Sequence, residues 1–567
     1  MIPLTDQLYQ RLEDKAGSFS KQVYGLRLSE RATDGARFAE LLVHYGYLDR
    51  DSAGDIIAEQ FGRTYVNLGG TLFQQDLLAK LPADFARKFG AIPLYKLGSK
   101  ATVGMIDPGD EKAIRSLESL LMFPVSPVFC FQDEVESAIE VNYRTVQDFD
   151  KLLAGFDLRP FQKDEIPEAE LRKLLESNQL IELCETLVLL ALKDRASDIH
   201  IEPKPTDVLV RIRVDGEMTD KLRLQKNLLM PLASRFKVIA QLDITEKRRP
   251  QDGRFTFALG KKNMDIRVST MPTIRGEKVV LRILGATSTS ATLNLDKLNF
   301  VPEVLAPLKR VIQQPSGILF VTGPTGSGKT TTLYAALNFI NRPGVNIVTI
   351  EDPVEYDVPS ISQVQVNDKA GRSFQAVLRS MLRQDPDVIL LGEIRDVETA
   401  RIATQAALTG HLVLTTLHTG NAIQATTRLM DMGVDRFMVA PSLIGVLSQR
   451  LVRRICELCK VEYDPTPEYL EQYFEWRKGY RLPVLYRGEG CQHCGQTGYH
   501  GRIGIHEFLN VTTRLREALL EGLRYDELRA LAVATGFREM RYDGFKKALR
   551  GLTTIEEVLK VTTSDDD

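Results

Sequence analysis

Cysteine is scarce in this sequence, with six residues in a chain of 567, and long apolar runs are missing. The scarcity of cysteine excludes a disulfide-rich scaffold and favours a reducing compartment. The longest segment without a charged residue, Ile402 to Thr427, is interrupted by glutamine, threonine, histidine and glycine, which excludes a transmembrane helix. Residues 1–14 carry charges within every short apolar segment and do not resemble a secretory signal peptide. We expect a cytoplasmic protein that contacts membranes only through partners.

Neither positive nor negative charge is in excess in the sequence. The 73 lysines and arginines nearly balance the 75 aspartates and glutamates, which gives a formal net charge of −2. This balance argues against the uniformly basic surface that nucleic-acid-binding proteins present. With 43% hydrophobic and 26% charged residues the composition is typical of globular proteins, and the length suggests about four domains.

Changes in hydrophobic pattern along the chain predict an α/β protein in several parts. Residues 35–144 alternate short helical and strand patterns, whereas residues 145–179 are charged, poorly patterned and contain two prolines, as expected of a linker with marginal helices. A helical pattern at 180–194, followed by strand patterns at 207–214 and 264–270, predicts a second, α+β unit. The predicted parts are an N-terminal module at 1–145, a linker at 146–175, a second N-terminal domain at 176–289, and a C-terminal domain at 290–567 that includes a cysteine-containing subdomain at 451–510 and helices at 511–567.

A phosphate-binding loop is the most specific motif in the sequence. Residues 323–330, GPTGSGKT, fit the pattern G-x-x-x-x-G-K-[ST], between a strand-like run at 318–321 and a helical pattern at 331–340. Glycines let backbone amides converge on phosphate oxygens, while Lys329 reaches the β- and γ-phosphates and the Thr330 hydroxyl binds Mg²⁺. The residues predicted to bind the nucleotide are Gly323, Pro324, Thr325, Gly326, Ser327, Gly328, Lys329, Thr330 and Thr331.

Two strand-like runs downstream of this loop end in acidic clusters. Residues 345–350 lead into the segment 351–355, which holds three glutamates and aspartates, and residues 387–391 lead into Glu393. The carboxyl ends of parallel strands face the nucleotide crevice of a doubly wound sheet, so these acids are placed to hold Mg²⁺ and to orient an attacking water. Solvent-exposed loop carboxylates are the alternative interpretation.

Two of the seven histidines, His411 and His418, lie on either side of a short apolar run that is typical of a strand. A histidine at each end of one strand suits a sensor that detects the γ-phosphate and shifts the strand in response. Ordinary core or surface histidines are the alternative interpretation of this pair.

Four of the six cysteines form two C-x-x-C pairs, which are separated by 31 residues. Each pair supplies a tight turn with two thiolates, and two such pairs close a tetrahedral site without an open position, so the zinc would be structural. The predicted zinc ligands are Cys456, Cys459, Cys491 and Cys494. The other two cysteines, Cys130 and Cys184, lie in apolar surroundings and are predicted core residues.

Taken together, and in their order along the chain, these motifs resemble those of the hexameric ATPases of type II secretion and type IV pili. Segments 196–203, 210–216 and 250–254 resemble the family's second N-terminal domain, and the motifs around the phosphate-binding loop resemble its RecA-like motor. The related retraction ATPases generally lack the N-terminal extension and the four cysteines. The resemblance is therefore closest to pilus extension ATPases of the PilB type, with type II secretion ATPases of the GspE type as the alternative.

The resemblance implies a Mg²⁺-dependent, homo-hexameric ATPase that powers pilin polymerisation at the inner membrane. It implies that Glu393 activates water, that Asp352 and Glu355 support the magnesium and water network, and that both histidines sense the γ-phosphate. Arginines of the second N-terminal domain would reach a nucleotide bound by the motor domain. The arginines in corresponding positions are Arg248, Arg254 and Arg267. The implied partners are an inner-membrane platform protein of the PilC/GspF type and a cytoplasmic ring protein of the PilM/GspL type.

The N-terminal module resembles a family module that in some members binds cyclic di-GMP through tandem R-L-G-x-x-L motifs. Residues 37–46 form one degraded copy, with Ala39 in place of the glycine, and no convincing second copy precedes it. We therefore expect this module to dock to the membrane platform or its ring, and not to bind cyclic di-GMP.

Two other functional classes stay open for the whole chain. One is a nucleic-acid-translocating motor, and the other is a nucleotide-dependent regulator that does not hydrolyse the nucleotide.

Overall fold

A computed structural model of the chain describes residues 4–16, 34–44, 47–71, 73–143, 146–154, 175–259, 262–284, 294–358, 360–367, 370–473 and 483–562. The chain divides into two compact units, residues 1–289 and residues 290–567. Among the helices in the described ranges, none combines the length and the hydropathy that a bilayer span requires.

The first unit begins with a module of short helices around a small sheet. Its elements are α1 (Asp6–Ala16), α2 (Gly35–His44), α3 (Arg50–Glu59), α4 (Gln75–Leu78), α5 (Ala83–Phe89), β1 (Ala91–Leu97), β2 (Lys100–Met105), α6 (Glu111–Leu121), β3 (Val125–Phe129) and α7 (Gln132–Asn142). Helices α1 to α3 bury Leu12, Phe38 and Ile57 in one core. The sheet, in the order β1-β2-β3, contributes to a second core with α4 to α7.

The same unit contains a second domain built on a six-stranded antiparallel sheet. Its elements are α8 (Val146–Ala154), α9 (Asn178–Lys193), β4 (Asp198–Pro203), β5 (Asp207–Val214), β6 (Glu217–Gln225), α10 (Leu229–Ile239), β7 (Gln251–Leu259), β8 (Lys262–Thr273) and β9 (Gly276–Ile283). The strand order is β6-β5-β4-β9-β8-β7, and α9 and α10 bury Leu187 and Phe236 in a common core with Ile199 of the sheet.

Helix α8 lies in the segment for which the sequence predicts a linker. Its Phe149 is fully buried in the core of the second domain, and Leu152 and Leu153 pack against the same core. The apolar residues recur at helical spacing, but the charged residues between them conceal the stripe in a short window. The folded part of this domain therefore begins before residue 176, and residues 155–174 of the predicted linker lie outside the described ranges.

The second unit contains a seven-stranded sheet with helices on both faces. Its principal elements are α11 (Pro302–Val311), β10 (Gly317–Thr322), α12 (Lys329–Ile340), β11 (Ile347–Glu351), β12 (Ser362–Gln365), α13 (Phe374–Met381), β13 (Val388–Leu391), α14 (Val397–Leu408), β14 (Leu412–Leu417), α15 (Ala422–Asp431), α16 (Arg436–Ser442) and β15 (Leu443–Ile455). The strand order is β12-β11-β13-β14-β10-β15 and then β18 (Tyr499–Asn510), which alone pairs antiparallel. Every residue of β10, β11, β13 and β14 is buried, as expected of parallel strands covered on both faces.

Alternate residues of β10 point to two different cores. Leu319 and Val321 pack with α11 and α12, whereas Ile318 and Phe320 pack with the helices on the opposite face. The remaining elements are β16 (Lys460–Tyr463), α17 (Pro467–Glu471), β17 (Leu485–Gly488), α18 (Thr513–Glu521), α19 (Tyr525–Ala534), α20 (Met540–Leu549) and α21 (Ile555–Thr562). The hairpin of β16 and β17 lies in a lobe whose core includes Leu485, Ile505 and Val558.

Candidate active site

The phosphate-binding loop connects β10 to α12 at the carboxyl edge of the parallel strands. Gly323, Gly326 and Gly328 have φ angles of 145°, 78° and 87°, which residues with a side chain rarely adopt. A Cβ at Gly323 would lie 2.5 Å from the carbonyl oxygen of Gln449, so only glycine fits there. Gly328 is the N-cap of α12 and has no side-chain capping bond. The backbone amides of this helix end are therefore available to a phosphate, and the helix dipole adds to their attraction.

Gln449, on the neighbouring strand β15, anchors the phosphate-binding loop through side-chain hydrogen bonds. Its amide nitrogen donates to the Ser327 carbonyl oxygen at 2.7 Å, and its amide oxygen accepts from the Thr332 hydroxyl at 2.9 Å. Gln449 is 2% exposed, so water does not compete for these bonds. No sequence pattern marks Gln449 as part of the site, because it follows Thr332 by 117 residues and belongs to no local motif.

Glu393, the carboxylate predicted to activate water, lies in a charged cluster at the same edge of the sheet. It contacts the Arg395 guanidinium, and its Oε2 lies 3.8 Å from His418 Nε2. Arg395 also lies 3.7 Å from Asp352. Burial lowers the pKa of Lys329, and the charge of Glu393 is close enough to oppose that shift. The structure thus brings four predicted residues together and adds Arg395, which the sequence analysis did not assign a role.

The acidic segment 351–355 divides into a buried and an exposed part. Glu351 is 4% exposed and accepts a hydrogen bond from the Tyr334 hydroxyl at 2.7 Å. Tyr334 belongs to α12, so this bond ties the acidic segment to the helix that follows the phosphate-binding loop. Asp352 and Glu355 are exposed. Glu351 therefore has a structural position, and the two carboxylates predicted to act on magnesium and water are the ones that solvent reaches.

Removing the Tyr334 hydroxyl is expected to destabilise the motor unit. Burial, together with the hydrogen bond to Glu351, raises the pKa of Tyr334, so the phenol stays protonated and donates. In Tyr334→Phe the buried Glu351 carboxylate loses this donor, at a cost of about 1 to 3 kcal/mol. Thermal unfolding followed by calorimetry measures the loss. Tyr542→Phe, at a side chain that is 43% exposed, is the matched control, and equal melting temperatures in both variants would contradict the role of the bond.

The two predicted histidine sensors lie at opposite ends of β14. His418 follows the carboxyl end, beside Glu393, whereas His411 precedes the amino end and has its Nδ1 2.9 Å from the Ala406 carbonyl oxygen. Strands β10 and β14 pair in parallel along their whole lengths, so about 20 Å of strand separates His411 from the phosphate-binding loop. The expectation that both histidines sense one phosphate therefore does not hold within a single chain. The sequence pattern, with one histidine at each end of the strand, does not reveal this difference between His411 and His418. Only the carboxyl ends of parallel strands lie at the crevice, so only one of the two histidines is close to it.

The predicted arginines of the first unit lie on and before its antiparallel sheet. Arg254 on β7 lies opposite Arg267 on β8, which in turn lies opposite Arg282 on β9. Next in this row is the buried Asp198 on β4, which is 2.9 Å from Arg282. Arg248 lies in the loop before β7, and its side chain is 94% exposed. Neighbouring like charges on paired strands repel, so this row of arginines suits an anionic ligand. Arg282 lies outside the motifs predicted from the sequence.

The four predicted zinc ligands converge on one point. The Sγ atoms of Cys456 and Cys491 are 3.8 Å apart, those of Cys459 and Cys494 are 3.8 Å apart, and those of Cys491 and Cys494 are 3.7 Å apart. All four Sγ atoms lie within 4.8 Å of one another. A tetrahedral zinc with bonds of about 2.3 Å requires separations of about 3.8 Å between its sulfur ligands. The thiol positions therefore fit a zinc ion, and backbone amides donate to the Sγ atoms of Cys459 and Cys494 at 3.3 Å, as donors around zinc-bound thiolates do.

Comparisons with protein families identify two matching regions of the chain. The family model described as type II/IV secretion system protein matches residues 173–560, and the model described as MshEN domain matches residues 61–148. The degraded motif at 37–46 precedes the second match, and its Phe38 and Ala39 are buried in the core of α1 to α3.

Comparisons with single proteins extend this similarity to nearly the whole chain. The type IV pilus assembly ATPase PilB of Myxococcus xanthus is 37% identical over 94% of this chain and 95% of its own length. The protein of the same description from Thermus thermophilus is 41% identical over 93% of this chain, which spans 59% of that relative's length. The type II secretion system ATPase E of Vibrio cholerae is 41% identical over 86% of this chain and 98% of its own length. The solved structure of the Yersinia pseudotuberculosis ATPase DotB is 20% identical, covers 67% of this chain and 93% of its own, and superposes with a TM-score of 0.50.

Proposed function

Because this chain belongs to the family of type II/IV secretion system proteins, we propose that it is the ATP-hydrolysing motor that extends a type IV pilus. The observation that carries the proposal is the cluster at the carboxyl edge of the motor sheet. There Lys329 ends the phosphate-binding loop, and Glu393 lies among Arg395, His418 and Asp352. A base next to the cations Arg395 and Lys329, beside a phosphate site, suits water attack on a γ-phosphate.

Several residues of this chain have separate roles in the proposed hydrolysis. Residues 323–331 hold the phosphates through backbone amides and Lys329 neutralises charge on the β- and γ-phosphates. Glu393 takes the proton of the attacking water. The Thr330 hydroxyl would hold a magnesium ion, and Asp352 and Glu355 would hold its water shell. When bound, the ion would supply positive charge to offset the charge that develops on the transferred phosphoryl group.

The motor is proposed to work as a homo-hexamer in the cytoplasm, recruited to the inner-membrane face of the pilus machine. The pilus assembly ATPases among the relatives support this assignment, and the likeness extends through the N-terminal module. The proposed partners are a platform protein of the PilC/GspF type and a ring protein of the PilM/GspL type. Arg248, Arg254 and Arg267 stay predicted to neutralise charge on the nucleotide during hydrolysis.

Phosphate release by the purified chain tests the enzymatic part of the proposal. ATP with Mg²⁺ is expected to give turnover, ATP without added divalent cation is expected to give none, and DNA is expected not to stimulate the rate. An intact protein that binds ATP with negligible turnover would instead support the non-hydrolysing regulator. Strong, salt-sensitive stimulation by DNA would support the nucleic-acid motor.

Deletion of the gene in the organism that encodes the chain separates pilus extension from type II secretion. Loss of surface pili with normal protein secretion is the expected result. The reverse phenotype would assign the chain to type II secretion, which the Vibrio relative makes the second candidate.

Titration of the purified chain with cyclic di-GMP tests the N-terminal module, and we expect no saturable binding.

A further inference from the structure

Arg450 is a half-buried cation beside the phosphate-binding loop and outside the cluster around Glu393. It lies on β15, two residues beyond Ser448, which pairs with the last residue of β10. Its Nη2 donates to the Gly420 carbonyl oxygen at 2.6 Å, and its Nη1 donates to the Gln449 carbonyl oxygen at 3.1 Å. Within the described ranges, no carboxylate oxygen lies within 4.0 Å of this guanidinium.

Two observations place the guanidinium close to the nucleotide site. The Gln449 carbonyl oxygen that it binds is the same atom that a Cβ at Gly323 would approach to 2.5 Å. The charge of Arg450 also contributes to the lowered pKa of Lys329, for which burial is the main cause. Arg450 and Lys329 therefore place two positive charges at one edge of the sheet, where they repel each other until an anion binds.

The protein neutralises the charge of Arg450 only in part. Burial lowers its pKa, and the carboxylate of Glu507 opposes that shift from a distance. The two oxygens of Glu507 accept instead from the backbone amides of Ala422 at 2.6 Å and Met540 at 2.9 Å, at the N-termini of α15 and α20. A phosphate group would supply the missing counter-ion and would match the planar donors of the guanidinium.

We propose that Arg450 binds the terminal phosphate of the ATP held by the same chain, and that it exchanges its bond to Gly420 for this contact. The inference rests on the proposed ATPase function and assigns to Arg450 a part in the chain's discrimination between ATP and ADP. Gly420 lies two residues after His418, in the loop between β14 and α15. Release of its carbonyl would free the loop that carries the histidine beside Glu393, so binding of the γ-phosphate would change the position of that histidine.

Equilibrium binding of a non-hydrolysable ATP analogue and of ADP to the full chain tests this proposal. Arg450→Gln is expected to weaken binding of the analogue by about 10- to 100-fold, as for loss of a charge-assisted hydrogen bond, and to change the affinity for ADP by less than about threefold. Arg516→Gln is the matched control, since Arg516 is also half-buried and donates to a β15 carbonyl, that of Leu443 at the far end of the strand. This control is expected to leave both affinities unchanged.

Equal weakening of both nucleotides in Arg450→Gln would show that the arginine only supports the fold of the loop, and unchanged affinities would show that it has no role. Either result overturns the proposal. Where Arg450→Gln does not fold, Arg450→Lys replaces it and must lower the ratio of analogue to ADP affinity, because an ammonium lacks the planar pair of donors. Wild-type chain without ATP turnover would overturn the ATPase assignment itself, whereas normal turnover with an unchanged ratio in the variant overturns this inference alone.

Discussion

Glu393→Gln is expected to reduce the rate of ATP hydrolysis by about 10²- to 10⁴-fold, which is the contribution of a positioned general base. Glutamine keeps the size of the side chain but cannot accept a proton from the attacking water. Glu393 contacts Arg395 and lies near Lys329, so the variant also removes a negative charge from beside two cations. ATP binding is therefore expected to be retained or strengthened. Phosphate release and binding of a fluorescent ATP analogue, measured side by side, separate the two effects.

Glu398→Gln is the control for this substitution, because Glu398 follows Glu393 by five residues and forms an exposed ion pair with Arg379. It is expected to hydrolyse ATP at the wild-type rate. Lys329→Ala is expected to lose both binding and hydrolysis, since it removes the cation that faces the phosphates. A Glu393→Gln protein with more than a tenth of the wild-type rate would assign the base to another carboxylate.

Removal of the zinc ion is expected to unfold the lobe that contains β16, β17 and the four cysteines. Structural zinc sites of this kind contribute on the order of 10 kcal/mol to folding, which is comparable to the whole stability of a domain. Metal analysis of the purified chain is expected to find about one zinc per chain, because four thiolates fill one tetrahedral site. Cys491→Ser is expected to lose the metal and the hydrogen-exchange protection of β16 and β17.

Cys184→Ala is the control for the cysteine substitution, since Cys184 is buried in the core of the second domain in the first unit. Its zinc content is expected to equal that of the wild type. If the purified wild-type chain contained no zinc, the Sγ separations of 3.7 to 3.8 Å would have to arise from a cause other than metal binding.

The parts of the site that the sequence predicted are those encoded by contiguous residues. The glycine pattern of the phosphate-binding loop, the strand before it and the two C-x-x-C pairs each restrict the backbone locally, and the structure places all of them as expected. The packing of helix α8 into the second domain was missed, because the charged residues Asp150 and Lys151 separate Phe149 from the adjacent Leu152 and Leu153. Gln449, Arg395 and Arg450 were missed because their roles depend on neighbours distant in sequence or in another loop.

The acidic and histidine motifs show where pattern alone is insufficient. Glu351 and Asp352 are adjacent in sequence, yet one is buried beneath α12 and the other is exposed beside Arg395, because successive residues of an extended chain point to opposite sides. His411 and His418 are equivalent in pattern but lie about a strand's length apart.

The amino-acid sequence by itself determined that this chain carries a phosphate-binding-loop motif, a tetracysteine cluster and an α/β fold, since short-range backbone geometry and ligand spacing encode each of these features. Only the tertiary structure decided which of the charged residues meet at the nucleotide edge. The physical reason is that strand direction and register, which arise from pairing between distant segments, select which end of each strand lies at the crevice.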